Sequence, residues 1–157
     1  MKSQPTPDHA WLQQFVGEWA YEVTAEAKPG EPDQKFTGTE SIRAIGGLWI
    51  QCEGKGTAPD GTPATMMLTL GYDPKKGKYV GTWFGSMMDF LWVYEGTREG
   101  NVLTLRTTGP NFGEGGGTAN YREVLEWKGP AERTFTSYME EAGGTWKQLM
   151  AMTYRRA

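Results

Sequence analysis

The chain has 157 residues, a net charge of −3 and a single cysteine, Cys52, so it reads as one domain with no internal disulfide and no thiolate metal cluster. No run of Lys or Arg exceeds two residues, which argues against a nucleic-acid partner, and no apolar run approaches the ~18 residues of a membrane span. Residues 1–5 lack the apolar core of a signal peptide, and a cytoplasmic protein of bacterial type is expected.

Asp8 is the expected N-cap of a short helix over residues 8–16, because Trp11, Leu12, Phe15 and Val16 share one helical face and Gly17 ends it. The period then changes from helix to strand. Trp19, Tyr21 and Val23 alternate with Glu22 and Thr24, as in a half-buried strand. Turn chemistry recurs at Pro29-Gly30, Gly46-Gly47, Pro59-Asp60-Gly61, Asp73-Pro74, Ser86 to Asp89, Glu99-Gly100-Asn101, Gly109 to Thr118, Gly129-Pro130 and Gly143-Gly144. These turns leave strands over residues 18–28, 35–45, 48–57, 64–72, 78–85, 90–98, 101–108, 119–128, 132–140 and 145–155. Linkers too short for a crossover imply antiparallel neighbours, and a meander of about ten strands avoids exposed edges only by closing. The expected fold is therefore all-β: a single antiparallel up-and-down barrel filling residues 18–156, with the helix closing one end. Strand parity points Trp19, Tyr21, Val23, Leu48, Ile50, Cys52, Trp83, Trp92, Tyr94, Leu103, Leu105, Tyr121, Leu125, Phe135, Met139, Met150, Met152 and Tyr154 inward. A ten-stranded barrel is wider than its side chains can fill, so part of that interior should be cavity.

His9-Ala10-Trp11-Leu12 running into Phe15-Val16-Gly17-Glu18-Trp19 resembles the bacterial domain-of-unknown-function family 1579. So do Gly46-Gly47-Leu48-Trp49, Leu70-Gly71-Tyr72-Asp73, Gly81-Thr82-Trp83, Gly85-Ser86-Met87-Met88 and Trp92-Val93-Tyr94-Glu95-Gly96. The resemblance implies a calycin-like barrel, related in shape to lipocalins, fatty-acid-binding proteins and nitrobindins, with no established reaction. By that analogy Trp19 plugs the barrel floor and Arg156, or Arg155, stacks over its indole. Parity favours Arg156, which shares a face with Met150, Met152 and Tyr154. Nitrobindin-like barrels hold haem through a histidine late in the chain; residues 119–155 contain none. No cofactor is expected, with Tyr or Met ligation of haem left open.

His9 is the only histidine, which excludes a multi-histidine metal site, and no metal is expected. A junction contact suits it better than catalysis. Met66, Met67, Met87, Met88, Met139, Met150 and Met152 are many for a small β-protein and suit either a pocket for flexible apolar ligands or gap-filling in a core. Charges interrupt the strands at Glu40, Arg43, Glu53, Glu95, Arg106, Arg122 and Glu123. Glu123 shares a face with Tyr121 and Leu125, so it is a candidate interior acid, base or ligand anchor; Tyr94, Tyr121, Glu123 and Arg43 form the expected polar cluster. With Trp83, Met88, Trp92, Met139, Met150 and Met152 they make up the candidate ligand-binding set. The loop from Gly109 to Thr118 reads as a mobile lid tipped by Phe112 or as a merely disordered loop. The leading functional reading is binding of a small, largely hydrophobic molecule in the barrel. A cofactor-independent isomerase, cyclase or hydrolase using an interior Glu or Tyr is the second, and a homodimeric structural module with a filled barrel the third.

Overall fold

The structure is a computed structural model, described here for residues 1–25, 34–58 and 60–157. The Pro29-Gly30 turn and Pro59 lie outside the described residues. One short helix, α1 (Pro7–Gln13), precedes ten strands: β1 (Gly17–Ala25), β2 (Gln34–Ile45), β3 (Trp49–Thr57), β4 (Pro63–Asp73), β5 (Lys78–Gly85), β6 (Trp92–Glu99), β7 (Val102–Pro110), β8 (Thr118–Gly129), β9 (Glu132–Glu140) and β10 (Trp146–Arg156). Each strand pairs antiparallel with its neighbour in sequence, and β1 also pairs with β10, which closes the barrel. The expected closed, antiparallel up-and-down barrel with a short N-terminal helix is thus the observed architecture. Among the described residues, no helix is long and apolar enough to cross a membrane.

Alternation of burial follows the pleat, with Ile50 and Cys52 on β3, Trp92 and Tyr94 on β6, and Leu103 and Leu105 on β7 buried between exposed or half-buried neighbours. Leu48 departs from its expected place. It sits in the β2–β3 turn, half-buried, because the positive φ of Gly46 and Gly47 delays the start of β3 to Trp49.

The helix is capped differently from the sequence expectation. Thr6, not Asp8, is the N-cap, with Pro7 at the first helical position, where its missing N–H costs nothing. The Thr6 backbone N–H donates to Nδ1 of His9 at 2.9 Å, and His9 Nε2 lies 2.9 Å from the Tyr72 carbonyl. Because a backbone N–H can only donate and a carbonyl only accept, Nδ1 serves as acceptor and Nε2 as donor, and the ring pins α1 to β4. Asp8, freed from capping, holds β5 and β6 instead. Its carboxylate forms an ion pair with Arg98 at 2.9 Å, and its carbonyl accepts from the Tyr79 hydroxyl at 3.0 Å.

At the same end Trp19 is fully buried and donates from Nε1 to the Phe15 carbonyl at 2.8 Å. The Arg156 guanidinium lies 4.0 Å from the Trp19 ring centre. It donates to the carbonyls of Val16 (2.8 Å), Gln14 (3.2 Å) and Pro130 (3.0 Å). Those carbonyls belong to the helix exit and the β8–β9 turn, where the backbone has no ladder partner. Gly17 makes the arrangement feasible: its φ is +136°, and a Cβ there would come within 2.6 Å of Arg156 Nη1. This gives the Gly-x-Trp motif a physical reason. Arg155, one residue away, faces outward and pairs with Glu132 at 3.5 Å.

Candidate functional site

The helix and its cross-contacts seal one end, so the interior is approached from the other, where the β3–β4, β5–β6, β7–β8 and β9–β10 connections gather. Between the two lies a chamber of about 180 Å³. Its wall is built from the inward positions of facing strands: Met66 and Leu68 on β4, Trp83 on β5, Trp92 and Tyr94 on β6, Tyr121, Glu123 and Leu125 on β8, Phe135 and Ser137 on β9, and Met150 and Met152 on β10. Glu40 and Arg133 border it towards the sealed end, with Tyr21 and Tyr154.

Of the candidate ligand-binding residues, the structure brings Trp83, Met88, Trp92, Tyr94, Tyr121, Glu123, Met150 and Met152 to this chamber. It does not bring Arg43, whose side chain is exposed on the outer wall. The physical reason is register: Trp19 pairs with Glu40 and Gly17 with Ile42, so β2 turns its even positions inward and Arg43 out. Met139 is buried but borders the groove beside the 111–117 loop instead of the chamber. Glu95 and Arg106 face solvent, and Glu53 and Arg122 are half-buried.

Two charged residues at the chamber were not expected there. Arg133 and Glu40 are both buried and form a direct ion pair. The Arg133 guanidinium also lies 3.7 Å from the Tyr154 ring centre and 4.6 Å from that of Trp19. Burial pushes the Glu40 carboxyl up, and the adjacent guanidinium opposes the shift. Cys52, buried in the same region, has its thiol pushed well up by burial, which disfavours the nucleophilic thiolate. The parity of β9, which runs Arg133, Phe135, Ser137, Met139, contained the signal for Arg133. Glu40 needed the pairing with Trp19 to be seen.

Glu123 differs from Glu40. It is 6% exposed, and burial raises its carboxyl from 4.5 to about 7, with the Ser137 hydroxyl bond pulling the other way. Its Oε2 is buried with no hydrogen-bond partner. No ion pair to Glu123 is present among the described residues. Burial, with the nearby Glu123 charge adding to it, also raises the Tyr94 and Tyr121 phenols, so both stay protonated near neutrality.

The mouth is aromatic. Trp92 packs edge-on against Tyr121 with ring centres 5.1 Å apart, and Phe112 approaches both, at 6.0 Å and 5.8 Å. Gly109 accepts the Trp92 ring: a Cβ there would lie 2.2 Å from it, so the glycine that opens the long loop also seats the indole. The loop itself is internally tied. Asn111 donates to the carbonyls of Glu114 (3.0 Å) and Gly116 (3.1 Å) and accepts from the Gly113 N–H (2.9 Å). The Tyr121 hydroxyl donates to the Pro110 carbonyl and accepts from the Phe112 N–H. Phe112, 58% exposed, stands at the rim with one face toward the chamber. The arrangement can enclose an apolar body, offer ring faces to it and present one carboxyl oxygen.

No curated protein matches the chain. Among solved structures it is similar to Rv2717c from M. tuberculosis, at 13% identity over 98% of this chain and 99% of that one, with a TM-score of 0.62. It is also similar to EF1p2_mFAP2b bound to DFHBI (13% identity, 96% and 99% covered, TM-score 0.52). A redesigned beta barrel, mFAP0, bound to DFHBI, matches with 14% identity, 92% and 100% covered, and a TM-score of 0.51. At such identities the likeness is one of fold alone. The family model described as "Protein of unknown function (DUF1579)" matches residues 4–156, and the chain belongs to that family.

Proposed function

We propose that this protein binds a small, largely apolar molecule inside its barrel. The observation that carries this reading is the chamber: about 180 Å³ of space with an apolar wall and one buried carboxyl oxygen that no protein group satisfies. An apolar cavity of about 150 Å³ accommodates benzene, so the volume suits one ring with a short substituent. The methionines support the same reading. Met66, Met88, Met150 and Met152 gather on this wall, while Met87 is exposed on the outside. Two barrels of similar fold were solved bound to DFHBI, which is compatible with such a use of the interior.

The test is calorimetric titration with toluene, against the wild type and Gly54→Leu. Gly54 lines the chamber, and a Cβ there meets Met66 only at ordinary contact distances of 3.4–3.7 Å. A leucine at this position therefore enters the chamber without displacing backbone. The expected result is saturable toluene binding by the wild type, lost in a folded Gly54→Leu protein. Absence of binding by the wild type, or binding unchanged by the leucine, contradicts the proposal.

Glu123, titrating near neutrality beside Tyr94, also supports an acid–base enzyme as a second reading. That reading requires a compound that is turned over by the wild type and bound without turnover by Glu123→Gln.

A further inference from the structure

The two carboxyls that border the chamber are electrically unequal, and the inequality specifies a ligand charge. Arg133 is the basic side chain on the chamber wall, and it is committed to Glu40 and packed against Trp19 and Tyr154. Glu123 faces the same space with a buried, unpartnered oxygen. We propose that the ligand is a small organic cation, a primary ammonium on a single-ring or short aliphatic body, whose nitrogen pairs with Glu123 and whose body lies against Trp92, Tyr94 and Tyr121. This rests on the reading of the chamber as a ligand site and adds the chemical class.

Three physical arguments converge. First, a buried carboxylate without a counter-charge is costly, and folding has already removed Glu123 from water; an entering cation finds its partner desolvated in advance. Second, ring faces are electron-rich and attract cations, and this chamber presents the indole and phenol rings of Trp92, Tyr94 and Tyr121 on its wall and at its mouth. Third, the alternatives fit worse. An anionic ligand would meet Glu123 with like charge, and the Arg133 guanidinium, though its Nε has no hydrogen-bond partner, already has Glu40 as its counter-charge through Nη2. A neutral ligand would satisfy Oε2 by hydrogen bonding but would not balance the charge of Glu123 above about pH 7, where its carboxyl loses its proton.

The test is a charge-graded series of one size, measured by calorimetry at pH 8, where Glu123 is ionised: benzylammonium, benzyl alcohol, toluene and benzoate. Benzylammonium is expected to bind about thirtyfold tighter than benzyl alcohol, as a desolvated cation–π contact and ion pair warrant, and benzoate more weakly than toluene. In Glu123→Gln the ammonium advantage should vanish while toluene binding persists. Benzylammonium binding no tighter than benzyl alcohol, or an advantage that survives the glutamine, overturns the cation assignment and leaves the chamber reading intact. Failure of every probe to bind overturns both. If Glu123→Gln did not fold, the wild-type ranking alone would decide.

Discussion

Glu40 and Glu123 stand in one barrel, equally buried, and differ in a single respect: what answers their charge. Towards the sealed end Glu40 meets Arg133, and that guanidinium is in turn held among the Trp19, Tyr154 and Phe15 rings. Halfway to the mouth Glu123 meets the Ser137 hydroxyl, two phenols and apolar wall. A paired buried carboxylate is part of the scaffold, because removing its partner is expensive. An unpaired one is a standing destabilisation that invites either a proton or a cation. The two ends thus separate a structural floor from a chemically receptive chamber.

The comparison can be broken most forcefully at Arg133. Arg133→Met should leave Glu40 buried without a partner and cost about 3–5 kcal/mol in urea denaturation. A loss below about 1 kcal/mol would mean that the pair is not structural. Trp19→Ala belongs to the same end and should cost a similar ~3–5 kcal/mol through the cavity it leaves. Trp19 does not line the chamber, so a folded Trp19→Ala protein should keep the benzylammonium preference.

At the chamber the sign reverses. Glu123 holds its proton to about 7 in the folded protein but near the ordinary carboxyl value of 4.5 when unfolded. The folded state therefore binds more protons between these values, and stability falls as pH rises from about 4.5 to 7. Glu123→Gln should be more stable than the wild type by up to about 3 kcal/mol at pH 8, with the gain disappearing toward pH 4.5. The other interior titratable groups do not confound this difference. The phenols of Tyr21, Tyr94, Tyr121 and Tyr154 and the Cys52 thiol are all raised by burial, and Glu40 with Arg133 is common to both proteins. Parallel pH–stability curves for the two proteins would show that Glu123 is already satisfied.

Smaller effects sharpen the boundary between the two ends. Arg156→Ala removes three donors to junction carbonyls and the stack on Trp19, and should cost about 2 kcal/mol by thermal melting. Phe112→Ala, at the exposed rim, should change stability by less than about 0.5 kcal/mol. It should instead speed toluene dissociation in NMR line-shape measurements, because the side chain stands at the chamber mouth.

Much of this was legible in the residues, for identifiable reasons. Turn signals at regular spacing gave ten strands, and clean alternation placed Tyr121, Glu123 and Leu125 on one face. The second strand resisted because Thr37, Gly38, Thr39, Glu40 and Ser41 offer no apolar contrast. Its parity is set by cross-strand pairing with Trp19 and Gly17, which no local pattern encodes, and so Arg43 seemed to face inward while Glu40 went unassigned. Arg133 was readable from the face it shares with Phe135 and Ser137, but a lone arginine near a strand start resembles solvated charge. Met139 had the right parity and the wrong height: strand alternation reports a face, and the position along the barrel depends on stagger around it.

The most direct test uses the methionine methyl groups as reporters distributed inside and outside the barrel. With ¹³C-methyl methionine and benzylammonium at saturation, Met66, Met88, Met150 and Met152 should shift in NMR spectra, since they line the chamber. Met87, exposed on the outer surface, should stay unchanged, and Glu123→Gln should need about thirtyfold more benzylammonium to reach the same shifts. Shifts confined to Met87 and other outward methyls, or no shifts at any concentration, would contradict the claim that this barrel is a chamber built around Glu123.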